Sequence, residues 1–276
     1  MVVTWHNKSI DWLAERFPLN HTRFVLYIKG DLRRCDTDIP AAVAPAVMGC
    51  HETHNAGGRE AHTMAEFITS NYDLLPRLTY FTQDDAHVSH ATRPLPADMS
   101  AAAFQDWVAL AEARPFSTSE ACLCSIIVEP VWTLQQYGAR LYVPMRWFME
   151  AFLEIDVAAA NWTAVRWPSG ANLVVPSAAI RSRPRALYTL ILQVFNGTEP
   201  ALVDNLAPDT ALVFQNHVSR QQVGMMPMAH VFERLWFAIF DVRYSPRQAD
   251  YDAGSPTRPL SRAVRGAQSV KQQGPV

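Results

Sequence analysis

A chain of 276 residues with 49% hydrophobic and 18% charged side chains can bury a sizeable core, which excludes a disordered protein. Its formal charge of −2 is unevenly spread: from Arg243 onward six basic residues face two acidic ones, so that end carries +4 and the remainder −6. This balance speaks against a broadly basic nucleic-acid surface and leaves only local patches. The opening MVVTWHNKSI lacks a basic start followed by a long apolar stretch, as a secretory leader would have. The apolar-rich stretches near Ala121–Val131 and Val231–Phe240 are too short to cross a bilayer. The expectation is a cytoplasmic protein without a membrane anchor, its four cysteines (Cys35, Cys50, Cys122, Cys124) present as free thiols.

In chain order, a strand is predicted over Val2–His6, a helix over Ile10–Phe17 and a strand over Phe24–Lys29 ending at Gly30. Residues 31–57, rich in Pro, Gly, His and Asp, read as loop. A helix over Gly58–Asn71 follows, with Ala61, Met64, Ala65 and Ile68 on one face and Arg59, Thr63, Glu66 and Ser70 on another. Leu78–Thr82 is an apolar run fit for a buried central strand. A polar loop covers 83–98, then come a helix over Ala101–Ala113 and a strand over Cys122–Val128. Leu141–Ile155 reads as helix after Pro144, and Asn172–Val175 as strand. Ser177–Phe195 is helical but kinked or divided at Pro184, and Val231–Phe240 is the last strong helix. Alternating strands and helices imply one open, mostly parallel sheet flanked by helices, in a single domain over 1–242. Residues 243–276 are expected to form a basic, disordered tail.

Three constellations could carry chemistry. Asn55-Ala-Gly-Gly-Arg-Glu60 leads two glycines into a helix start, where free N–H groups and Arg59 could hold an anion; a glycine turn with an ordinary cap is the plain alternative. Thr82-Gln-Asp-Asp-Ala-His-Val-Ser-His90 follows the buried strand, at the carboxyl end where open α/β sheets bind ligands. Asp84, Asp85 and His87 are suited there to a divalent metal, or else to a solvated loop. Glu233 and Arg234 are the only charges on the apolar helix after His230, so Glu233 either faces a pocket or meets a cation.

Weaker features include Arg181, Arg183 and Arg185, which could contact phosphates of RNA or a nucleotide but are equally explained as solvated. Cys50-His51 with His54 lacks zinc-site spacing. No Walker loop, GxSxG elbow or GxGxxG fingerprint occurs.

Six segments in order resemble a known family over roughly residues 1–242. These are the opening Trp5 and Trp12; Gly58-Arg-Glu60 leading to Asn71-Tyr-Asp-Leu-Leu-Pro76; Thr79-Tyr-Phe-Thr-Gln83; Gly170-Ala-Asn-Leu-Val-Val-Pro-Ser177; Ile180-Arg-Ser-Arg-Pro184; and Glu233-Arg-Leu-Trp236. The family is the fungal one known as domain of unknown function 3431. It is similar to glycosyltransferases of the A type, and its resemblance extends to arginine-containing cyclodipeptide synthases, which join amino acids delivered on tRNA. The resemblance implies a ligand loop at Gln83–Asp85 and a late acidic base at Glu233. Two departures stand out: Asp84-Asp85-Ala-His-Val88 ends in valine where an acidic DDxxE is expected, and Gly57–Gly58 holds an extra glycine.

The expectation that follows is a cyclodipeptide synthase acting on aminoacyl-tRNA, with Glu233 and Asp85 catalytic and no cofactor required. Arg59, Glu60, Gln83, Asp84 and Asn172 would bind substrate, and Arg181, Arg183 and Arg185 would touch RNA. The alternative is a nucleotide-sugar glycosyltransferase holding Mg²⁺ or Mn²⁺ on Asp84, Asp85 and His87. A third is a binding protein of the same fold without catalysis.

Overall fold

In chain order the secondary structure runs β1 (Val2–Trp5), α1 (Trp12–Arg16), β2 (Phe24–Lys29), β3 (Val47–Thr53), α2 (Arg59–Asn71) and β4 (Leu78–Gln83). After these come β5 (Ile126–Pro130), α3 (Val131–Gln136), α4 (Tyr142–Phe152), β6 (Ala164–Pro168), β7 (Leu173–Pro176), α5 (Ser177–Arg181), α6 (Arg185–Asn196) and α7 (Met225–Phe240). This computed structural model describes residues 1–30, 32–53, 59–84, 126–136, 142–158, 162–168, 172–196 and 225–241, with positions 105, 106, 108, 109 and 111 besides.

Five strands form one sheet in the order β3-β2-β1-β4-β7. The first four are mutually parallel, with Val2 opposite Val25 and Phe81, and β7 closes the far side antiparallel to β4. The expected open, mainly parallel sheet flanked by helices is therefore present. All four residues of β1 are buried, as a central strand covered on both faces requires. Strand alternation sorts the core into two layers. Val2, Tyr27, Phe81, Leu173 and Val175 point to the layer shared with α2, α6 and α7; Val3, Leu26, Ile28, Tyr80 and Val174 point to the layer holding Trp12, Leu13 and Phe17. The antiparallel pair β5–β6 contributes Val165 and Trp167 to the first layer.

Helix α7 buries Val231, Phe232 and every residue from Leu235 to Phe240, so it runs through the core apolar on nearly every side. The long helical stretch after β7 divides at Pro184, whose ring cannot occupy a helix interior. Helix α4 begins two residues before Pro144, which places that proline in the first turn, where a missing N–H breaks no bond.

Several expectations need correction. Residues 47–53, read as loop, form the edge strand β3: its half-exposed, polar Cys-His-Glu-Thr stretch lacks the apolar alternation that marks a strand. Helix α2 is buried on a wider arc than its apolar stripe implies, because α6 and α7 also cover it; Thr63 and His62 are buried with the stripe. Strand β6, the antiparallel partner of β5, and the short α3 had no prediction. The strand predicted over Cys122–Val128 appears as Ile126–Pro130, and Cys122 and Cys124 lie outside the described residues, as do most of 101–113 and the whole tail 243–276.

Cys35 and Cys50 are not free thiols but a disulfide, S–S 2.11 Å, across a separation of 15 residues. Reading 31–57 as loop hid that Cys50 sits on β3, beside the strand from which the Cys35 segment departs. Closing a loop of this length stabilises the fold by about 3 kcal/mol. Among the described residues, no helix is long and apolar enough to cross a membrane.

Candidate functional site

The winding of the sheet reverses between β1 and β4: β2 and β3 lie to one side of β1, β4 and β7 to the other. In open α/β sheets ligands bind outside the carboxyl ends of the strands at such a reversal. Here that edge is formed by the residues following Trp5, Lys29 and Gln83.

Asp84 organises the gap. Its backbone N–H donates to Thr4 O, which extends the β1–β4 pairing by one step. Its Oδ2 accepts three backbone N–H bonds, from His6 (3.0 Å), Asn7 (2.8 Å) and Lys8 (2.7 Å). Successive amides converging on one anion form a nest, and the side chain is buried within it. Trp12 Nε1 donates to Asp84 O and Trp5 Nε1 to Lys8 O, so two tryptophans hold the same loop from its apolar side.

The loop in turn presents His6, whose Nε2 lies 3.5 Å from Glu60 Oε1 at the start of α2. Burial works to raise the Glu60 carboxyl, but the hydrogen bond from His6, its own backbone N–H and the nearby positive charges outweigh it and hold the group below the ordinary carboxylate range. Arg59 opens the helix with φ +44°, a left-handed conformation that turns the chain sharply into α2.

Next to it lies a group of residues that the sequence reading did not single out. Lys29 ends β2 and is only 3% exposed, a position rarely given to lysine without a partner. Its Nζ is 2.8 Å from His62 Nδ1. Glu66, one turn further along α2, brings Oε2 to 3.4 Å from that same Nδ1, an ion-pair distance without hydrogen-bond alignment. Oε2 is thus buried without a hydrogen-bond donor among the described residues. A single ring nitrogen can accept from an ammonium or donate to a carboxylate, not both at once. Lys29 and Glu66 therefore compete for one proton position on His62. Tyr27 borders the group and stacks on His51 with centroids 4.8 Å apart.

Burial lowers the Lys29 amine to about 8, against the opposing pull of the Glu66 and Glu60 charges. Burial raises the Glu66 carboxyl, with Lys29 and His51 opposing. The lysine shift has a sign that can be tested. The unfolded chain keeps the proton up to about pH 10.5, whereas the folded chain loses it near 8. The cost of burying the charge is thus full below pH 8 and fades as pH rises toward the unfolded value. Stability against urea is expected to increase by about 2 kcal/mol between pH 7 and 9.5 from this group, and Lys29→Met to remove that increase.

A family model described as "Protein of unknown function (DUF3431)" matches residues 1–250. The chain belongs to that family. Comparison with curated proteins gives no match, and comparison with solved structures gives none.

Within this member of the family, the sequence-predicted residues divide into distinct places. Glu60, Gln83 and Asp84 lie at the carboxyl edge; Asp85 and His87 lie outside the described residues. Asn172 also reaches this region: its Oδ1 accepts from Thr82 Oγ1 at 2.6 Å, and its buried Nδ2 has no partner among the described residues. A metal on Asp84 fits poorly, because Oδ2 already receives three N–H donors. Among the described residues no group of three or more His, Cys, Asp or Glu side chains is placed to hold a metal ion.

Arg183 donates from Nε to Ile239 O and from Nη2 to Ala238 O, capping the carboxyl end of α7. Arg185 donates to Thr69 O near the end of α2, and Arg181 reaches the carbonyls of Tyr72 and Asp73 just beyond it. The three arginines thus tie helix ends together. Glu233 stands on the partly exposed side of α7, 3.3 Å from His230 Nδ1. The buried cation–carboxylate contact on that helix belongs to its neighbour: Arg234 Nε donates to Glu129 Oε2 at 2.7 Å, with its guanidinium 4.3 Å above the Trp167 ring. Glu129 gave no sequence signal beyond a lone charge in the apolar Ile126–Pro130 strand.

Proposed function

We propose that this protein is a transferase that joins two aminoacyl groups carried on tRNA into a cyclic dipeptide containing arginine, at the carboxyl edge of β1, β2 and β4. The observation that carries the reading is the Lys29–His62–Glu66 group. Each acyl transfer needs an amine to lose a proton as it attacks an ester: a C–N bond forms, the C–O bond to the tRNA ribose breaks, and the proton passes to the departing hydroxyl. A buried amine lowered toward neutrality, sharing a proton position with an imidazole, suits that exchange. Glu60 and Glu66, whose Oε2 has no hydrogen-bond donor among the described residues, give the edge acceptors for a cationic substrate group. The reversal between β1 and β4 suits a nucleoside, on this reading the terminal adenosine of tRNA. A cytoplasmic setting, where charged tRNA is available, belongs to the same proposal.

That reversal also favours a second reading, a nucleotide-sugar glycosyltransferase. The commitment of Asp84 Oδ2 to backbone amides weighs against the form of it in which Asp84 ligates a metal and a diphosphate.

The test is metabolite analysis of a host expressing the chain, followed by the purified protein with arginyl-tRNA and a mixture of other aminoacyl-tRNAs. An arginine diketopiperazine is expected from the natural sequence and not from Lys29→Met of unchanged circular dichroism. A glycoside in its place would establish the second reading. Binding of aminoacyl-tRNA without product would identify a non-catalytic protein.

A further inference from the structure

The segment after β2 is anchored at one end and reaches the candidate site with the other. Its anchor is the Cys35–Cys50 disulfide to β3. Two residues past Cys50, Glu52 accepts from Cys35 N (2.8 Å) and from Arg34 Nη1 (3.1 Å). The Arg34 side chain is half exposed, so its ion pair with Glu52 is screened and holds little by itself. The covalent bond is the stronger of the two remaining ties to β3, the other being the hydrogen bond from Cys35 N to Glu52.

From that fixed point Arg33 extends toward β1. Its guanidinium stands 5.5 Å from the centroid of the Trp5 ring, and its Nη2 donates to Asn7 O at 3.2 Å. Asn7 is the middle of the three residues whose amides converge on Asp84. A contiguous path therefore leads from the disulfide, through two adjoining residues, to the loop that presents His6 to Glu60.

The geometry points to the Cys35–Cys50 bond as a thiol-sensitive lock on the candidate site. Closed, it seats Arg33 on Trp5 and Asn7 and keeps the β1 loop in the Asp84 nest. Open, it releases the segment from β3, Arg33 leaves, and the loop loses its outer restraint. The step is an ordinary exchange: a dithiol reductant gives two electrons and two protons to the S–S bond, two cysteine thiols form, and the reductant becomes its own disulfide. The inference rests on the placement of the site at the carboxyl edge, not on the reaction proposed there.

The measurement is backbone hydrogen exchange in the full chain, before and after dithiothreitol, read at the amides of His6, Asn7 and Lys8. Reduction is expected to speed their exchange about fivefold or more, as loss of one hydrogen bond and one cation–π contact would, and reoxidation to restore it. Amides of Leu26 and Ile28 in the middle of β2, where Leu26 lies opposite Cys50, report the global loss of stability on reduction, which Arg33→Gln with its disulfide intact does not share. Arg33→Gln, with the disulfide verified by mass, should exchange as fast at His6, Asn7 and Lys8 as the reduced natural protein. Equal protection in the two redox states would overturn the lock, as would an Arg33→Gln protein as protected as the oxidised form. Uptake of alkylating reagent by both cysteines in the unreduced native protein would overturn it too. Redox-dependent exchange in a protein that makes no product would leave the lock standing and remove the proposed reaction.

Discussion

Asp84→Ala is expected to lower the stability of the fold by about 3–5 kcal/mol, corresponding to a fall of roughly 6–15 °C in Tm for a chain of this size. The alanine leaves three backbone N–H groups, those of His6, Asn7 and Lys8, with no acceptor in a part-buried setting. Each is a hydrogen bond to a charged oxygen, the stronger kind, and together they hold a turn that would otherwise place three donors side by side. The loss is not additive, since water can reach some of the freed amides, so the figure stays below three full bonds. Asp84→Asn keeps a carbonyl oxygen in the nest and should cost only about 1–2 kcal/mol. Differential scanning calorimetry of both variants checks the pair of values. If both keep the natural Tm while ligand binding or turnover disappears, Asp84 is a ligand-contacting residue and the nest has no structural weight.

That same residue shows how far the sequence could be read. The position of Asp84 at the carboxyl end of a buried strand was legible, because the apolar run Leu78–Thr82 marks a central strand and the polar residues after it must lie at its end. What Asp84 does there was not, since its partners are the backbone amides of residues nearly eighty positions away, and backbone donors carry no side-chain signal. The parallel sheet was legible for the related reason that buried strands read as continuous apolar runs; the edge strand β3, half exposed and polar, was not. Lys29 was visible as the end of the Phe24–Lys29 strand but not as a site residue, because its burial depends on α2 crossing over it. Glu66 was assigned to an outward face by helix periodicity. That assignment assumes one covering partner, and α2 has more than one. The arginines from Arg181 to Arg185 form a pattern that suits phosphate, and only the packing of two helix ends against them reveals the carbonyls they serve.

Arg234→Leu is expected to destabilise the protein by about 3–5 kcal/mol, and this places the largest charge effect on α7 at a residue adjacent to the one that the sequence favoured. Glu129 and Arg234 have side chains only 11% and 12% exposed, so removing the guanidinium strands a carboxylate that water hardly reaches. Trp167 Nε1 would still donate to Glu129 Oε2 at 3.1 Å, but one neutral donor does not replace a charge-assisted bond and a stacked cation. The double variant Glu129→Leu/Arg234→Leu should recover at least half of the loss, because no buried charge then remains; its residual cost is the unpartnered indole N–H. The coupling between the two sites, read from urea unfolding of the four proteins in the cycle, is expected to be about 2 kcal/mol or more. A coupling below about 0.5 kcal/mol would mean that the pair is solvated in solution and that α7 is held by its apolar residues alone. Glu233→Gln supplies the contrast on the same helix. Its carboxylate is more exposed and faces His230, so its removal should change stability by no more than about 0.5 kcal/mol, which leaves any larger effect on turnover to be assigned to chemistry rather than to folding.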